Sequence, residues 1–158
     1  MPKSASALGA ALLGAVTLIV PAARAAAADS APPPKLTPAE AVADHCAAWN
    51  TTDPAERDRL LRLILTPDGV YNDPAPTYAT GPAALSAVIA DFHRHNPGAR
   101  FRCSAPQVHH NAMRVSWLLV GADGKVVTPG MDFYELTKTG QIHRITGFFG
   151  PPPAVEGK

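Results

Sequence analysis

The 158-residue chain carries 14 Lys+Arg against 13 Asp+Glu, a formal net charge of +1. Such a balance, with no basic block, excludes a nucleic-acid binder that works by neutralising phosphates. With 46% hydrophobic residues, the chain is neither disordered nor fibrous. Its 17 prolines crowd towards the ends, in triplets at 32–34 and 151–153, so the composition reads as one domain between two proline-rich flanks.

Residues 1–28 read as a cleavable signal peptide. Lys3 supplies the positive start and residues 8–20 form an apolar run, shorter than the roughly 20 residues a membrane-spanning helix needs. Pro21 follows, then Ala23-Arg24-Ala25 and Ala26-Ala27-Ala28, both of small-x-small cleavage form. The alternative is an uncleaved N-terminal anchor. Cleavage removes Lys3 and Arg24, so the mature balance is 12 − 13 = −1. The expectation is an exported protein, periplasmic or secreted, with no stable membrane insertion after cleavage.

A Pro-rich leader at 29–36 precedes the folded domain, 37–150. Thr37-Pro38-Ala39-Glu40 is a capping box with proline at the first helical position. The helix runs to about Trp49, and Ala41, Val42, His45, Cys46 and Trp49 share one face. Asp53-Pro54 with Glu56 starts a second helix. Its apolar face is Leu60, Leu61, Ile64 and Leu65, set against Arg57, Asp58, Arg59 and Arg62, and Thr66-Pro67 ends it. A short strand at 69–73 and an irregular stretch at 75–80 lead to Gly81-Pro82, which opens a third helix stopped by Asn96-Pro97-Gly98. Strands follow at 100–108, 112–120, 125–137 and 141–150, joined by hairpin-length turns, and Pro129-Gly130 suggests a bulge or bend. Residues 151–158 form a Pro-rich tail.

Helices followed by a strand meander indicate an α+β fold, with helices across the concave face of a curved, mainly antiparallel sheet. The two layers would enclose a cavity of the kind in which ligands sit. Cys46 and Cys103 are the only cysteines. In an oxidising compartment they suit a disulfide between helix and strand, or else two buried thiols packed as small hydrophobes. Two pairs of histidines, His93/His95 and His109/His110, invite a metal, but no third ligand stands at recognisable spacing. No metal and no cofactor are expected.

The stretches Ala47 to Asp53, Val70-Tyr71-Asn72-Asp73-Pro74, Pro129-Gly130-Met131-Asp132-Phe133 and Phe148-Phe149-Gly150, in that order, resemble the nuclear transport factor 2-like superfamily in its SnoaL-like and ketosteroid-isomerase-like branch. The resemblance covers residues 36–150 and implies a cone-shaped fold. It places Asp73 at the isomerase's general-base aspartate and Asp132 at the aspartate that stays protonated and donates to the substrate oxyanion. That pair is a known worked case of opposed carboxylate roles. The oxyanion-hole tyrosine of the first helix is replaced here by His45. A homodimer through the convex sheet face is also implied.

The residues support the same sites independently. His45 points inward and needs a partner for its ring nitrogens, so it is a core histidine or a donor in a pocket. Asp132 alternates with Tyr134 and Leu136 on the face expected to be concave, where burial would raise its pKa. Asp73 in Asn-Asp-Pro suits a base, and equally a turn in which the aspartate caps its own backbone. Trp49, Tyr71, Tyr134, Phe149 and His143 are the expected ligand-contacting residues. The leading functional expectation is a small apolar molecule bound in the cavity, with isomerase-like proton transfer next to a carbonyl by Asp73, Asp132 and His45. The other class is a non-enzymatic ligand-binding or protein-interaction module.

Overall fold

A computed structural model describes residues 35–157 apart from Pro76; residues 1–28, expected as a signal peptide, and residues 29–34 of the expected leader lie outside the described residues. The chain order is α1 (Pro38–Asn50), α2 (Pro54–Ile64), β1 (Leu65–Asn72), β2 (Tyr78–Thr80), α3 (Pro82–His95), β3 (Arg100–Cys103), β4 (Gln107–His109), β5 (Ala112–Val120), β6 (Val126–Leu136) and β7 (Ile142–Phe149). The α1 capping box forms as expected. Thr37 Oγ1 accepts from the Glu40 amide at 3.2 Å, and Glu40 Oε2 accepts from the Thr37 amide at 2.8 Å. Asp53 caps α2 through Oδ1, which accepts from the Ala55 amide at 3.0 Å. Leu36 is already part of the core and donates its amide to Thr139 O at 3.0 Å.

Three helices pack on a mixed, mostly antiparallel sheet of order β2-β1-β7-β6-β5-β3, with β4 also pairing β5. Among the described residues only the β1–β7 pair is parallel. Leu61, Ile64, Ile89, Ile142 and Ile145 are fully buried between the layers. Along β6 the period of two holds: Gly130, Asp132, Tyr134 and Leu136 are buried, while Phe133 and Glu135 are exposed. The outer face carries Phe133 and Phe148, which pack edge-on at 5.9 Å and are about half exposed.

Cys46 and Cys103 are disulfide-bonded, with Cα atoms 6.4 Å apart, and staple α1 to β3. Closing a loop of that 57-residue separation stabilises by about 4 kcal/mol in the chain-entropy account.

Several expected boundaries move. α2 passes into β1 at Leu65 without a loop, so Thr66 and Pro67 lie in a strand. The register shift between Leu65 and Val70 against β7 absorbs Pro67 and Gly69. The irregular stretch at 75–80 contains β2, and the single strand expected at 100–108 is interrupted at 104–106. Pro129 and Gly130 make no bulge, because their pairing to Leu118 and Trp117 is continuous. The register shifts fall instead between Leu119 and Val120 and between Glu135 and Leu136. Arg57, expected on the solvated face of α2, is buried against α3 and donates Nε to Ser86 Oγ at 3.0 Å.

Candidate functional site

The two layers leave a cavity of about 300 Å³ between them, at the small end of the range for ligand pockets. Its buried floor holds His45, Trp49, Tyr71, Trp117 and Asp132, while exposed Ala75, Asp91, Asn96 and Phe149 stand at its rim. The Cys46–Cys103 disulfide is part of the wall.

A chain of hydrogen bonds runs along the floor. Trp49 Nε1 donates to His45 Nε2 at 3.1 Å, and His45 Nδ1 is 2.9 Å from Tyr134 Oη. Tyr134 Oη donates to Asp132 Oδ2 at 3.1 Å, and Trp117 Nε1 donates to Asp132 Oδ1 at 2.9 Å. An indole can only donate, so Nε2 of His45 must accept. The neutral ring then carries its proton on Nδ1, gives it to Tyr134, and leaves the tyrosine hydroxyl to Asp132. Both indoles thus drive the chain one way, ending on the carboxylate.

Burial sets the charges. It lowers the His45 pKa to about 4, so the ring is neutral near pH 7. For Asp132, burial is the largest cause and raises the pKa to about 6; the Trp117 and Tyr134 donors pull the other way, and the Asp73 charge adds to the rise. The direction agrees with expectation, and the two donors explain why the rise is limited.

Asp73 stands across Gly147 from Asp132. A Cβ on Gly147 would lie 3.1 Å from Asp132 Oδ1 and 3.4 Å from Asp73 Cβ, so the bare backbone there lets both carboxylates face one space. Tyr71 Oη donates to Asp73 Oδ2 at 2.9 Å, whereas Oδ1 is buried with no partner. Burial pushes the Asp73 pKa up, and hydrogen bonding from Tyr71, the Ala75 amide and the Thr77 side chain opposes it.

The structure therefore brings Asp73, Asp132, His45, Trp49, Tyr71 and Phe149 to one cavity. Tyr134 lies behind the floor, buried and engaged by His45 and Asp132. His143 is placed elsewhere. The register shift beside Leu136 makes it the extra residue of β7, breaking its alternation with Ile145. Its Nδ1 is 3.5 Å from Thr66 Oγ1 and 3.8 Å from Asp68 Oδ1. Trp117, not among the ligand-contacting residues expected from the sequence, joins the site by donating to Asp132. Its cross-strand partner is Gly130, the one residue type that leaves room for the indole. Among the described residues no cluster of three or more His, Cys, Asp or Glu could hold a metal, and no helix is long and apolar enough to cross a membrane.

The sequence model of the SnoaL-like domain matches residues 42–145. The chain belongs to the SnoaL-like family. A solved SnoaL-like protein from Agrobacterium tumefaciens strain C58, named as a candidate isomerase, is 30% identical with a TM-score of 0.66, over 70% of this chain and 95% of that one. A candidate SnoaL-like polyketide cyclase from Jannaschia sp. CCS1 is 16% identical with a TM-score of 0.55, over 72% and 89%. A protein of ketosteroid isomerase-like fold from Catenulispora acidiphila, solved with trimethylamine, is 17% identical with a TM-score of 0.59, over 72% and 88%. At those identities the last two show the fold alone. No curated protein matches the chain. In this SnoaL-like domain the family match runs from Val42 in α1 to Ile145 midway along β7, and so includes the cavity-lining residues other than Phe149.

Proposed function

We propose that this SnoaL-like protein binds a small, largely apolar molecule in the cavity and moves a proton on a carbon next to a carbonyl. One observation carries the reading. Asp73 is fixed by Tyr71 through one oxygen, while the other is buried in the cavity wall without a partner, which suits a general base with a raised pKa. Asp132 in its protonated form would donate to the carbonyl oxygen. His45, with both nitrogens engaged, acts by orienting Tyr134 and through it Asp132. Deuterium exchange into 2-tetralone in D₂O, followed by NMR, tests this. The wild-type protein should accelerate exchange above buffer, and Asp73→Asn should lose about 100-fold or more of that acceleration. No acceleration by the wild type would reject the isomerase-like reading.

The second reading is a binding module without turnover. It is favoured by the absence of a phenol on α1 and by the full engagement of His45.

We also propose export by the cleavable segment 1–28, supported by Lys3, the apolar run and the two small-x-small sites. N-terminal sequencing of the protein from its native host should start at Ala26 or Asp29. An intact Met1 or Pro2 would reject it.

A further inference from the structure

Among the described residues the cavity wall is negative and aromatic, and it holds no positive side chain. Trp49, Tyr71, Phe92, Phe101, Trp117 and Phe149 supply its rings, and no Lys or Arg is among its lining residues. The rim aspartate, Asp91, is exposed and already paired with Arg94, so its charge is spent outside. The inner two have no such partner. Asp73 keeps a buried oxygen unsatisfied, its other oxygen accepts from a neutral phenol, and the further donors beside it, the Ala75 amide and the Thr77 side chain, are also uncharged.

Asp132 is held as an acceptor. Trp117 can only donate, and Tyr134 donates because the proton order set by Trp49 and His45 leaves it no other choice. Each oxygen thereby accepts one hydrogen bond and keeps a second lone-pair site for a further donor. The floor thus holds one carboxyl group as an acceptor, with a second carboxyl across Gly147. Burying like charges together without a counter-charge is unfavourable unless something supplies one. His45 does not supply it, because burial keeps the ring neutral.

From this charge balance and the aromatic lining we infer that the molecule bound in the cavity is a small organic cation, a protonated or methylated amine whose ammonium group sits between Asp132 and the ring faces. An ammonium over aromatic faces gains from the ring quadrupoles, most of all when desolvated, and the nearby carboxylates provide the full counter-charge. The inference rests on the cavity reading above and names the class of ligand. The two readings use different forms of Asp132: its carboxylate holds the ammonium, and its protonated form, reached below about pH 6, donates to a carbonyl oxygen.

Three probes of one skeleton test it by NMR titration at pH 8: 2-aminotetralin as the cation, 2-tetralone as the neutral form and tetralin-2-carboxylate as the anion. The amine should bind the wild type at least tenfold more tightly than the ketone, and the carboxylate most weakly. Asp132→Asn should bring amine and ketone to within about twofold of each other. Asp73→Asn, at a half-exposed position, should narrow the gap in a folded protein even if Asp132→Asn does not fold. A ketone that binds as well as the amine would overturn the cationic class and leave the cavity reading standing. An amine preference that survives in both variants would also overturn it. If none of the three probes binds, the cavity reading falls with it.

Discussion

Gly130→Ala is expected to destabilise the protein by about 3 kcal/mol or more, from overpacking and the loss of a hydrogen bond to a buried charged group together. A Cβ at this position would overlap Cζ2 and Cη2 of Trp117. The indole lies flat across its cross-strand partner because that partner has no side chain. It cannot move aside cheaply, since it is buried, packs edge-on against Phe101 and Phe149 at 5.4 and 5.7 Å, and donates to Asp132. Displacing it costs packing and also takes one of two donors from a buried carboxylate, so the Asp132 pKa should rise further. Urea unfolding and the near-ultraviolet dichroism of the tryptophans measure both consequences. In a Trp117→Leu background the same alanine should cost less than about 1 kcal/mol, because the clash is gone. A Gly130→Ala protein of unchanged stability and unchanged tryptophan signal would show that the indole is not held as described.

That glycine marks where sequence legibility ends. Local chemistry was readable: Thr37-Pro38-Ala39-Glu40 gives a complete capping box, and the 3–4 spacing puts His45 and Trp49 on the buried face of α1. The period of two places Asp132, Tyr134 and Leu136 inward on β6. Pro129-Gly130 looks locally like a bulge, yet what decides its role is Trp117, thirteen residues earlier and on another strand. His143 fails for a related reason: alternation predicts its face only while the register is unbroken, and the slip at Leu136 is a property of the β6–β7 pair. Arg57 is polar on its own helix, and only α3 supplies Ser86 to receive it. The α2–β1 junction was obscured because Thr66-Pro67-Asp68-Gly69 is good turn sequence, although it lies in a strand that pairs with β7 at both ends and slips between them. The inward residues could thus be chosen from the chain. Their hydrogen bonds could not, because Trp117 and Asp132 meet through register alone.

Between about pH 4 and 6.5 the wild-type protein is expected to hold nearly constant stability, because two buried groups oppose each other across that range. Asp132 titrates at about 6 in the folded state against 3.8 as an ordinary aspartate. In that interval the folded protein binds more protons than the unfolded chain, so this group makes stability fall as pH rises. His45 titrates at about 4 when folded against 6.5 ordinarily. There the unfolded chain binds more protons, so stability rises with pH. At about 1.4 kcal/mol per pH unit, each contribution amounts to about 3 kcal/mol, with opposite sign. Asp73, also raised by burial, adds to the side of Asp132. The histidine penalty has a visible cause: a second proton on the ring must go to Nε2, where the Trp49 N–H already points. Asp132→Asn should therefore not flatten the pH profile but steepen it, leaving a stability that climbs by about 3 kcal/mol from pH 4 to 6.5. His45→Gln should show the reverse slope, most stable at the acid end. Urea midpoints at half-unit pH steps read all three proteins on one scale. A flat profile for Asp132→Asn would mean that the carboxylate is not the group balancing the imidazole, and the proton order assigned to the floor of the cavity would have to be abandoned.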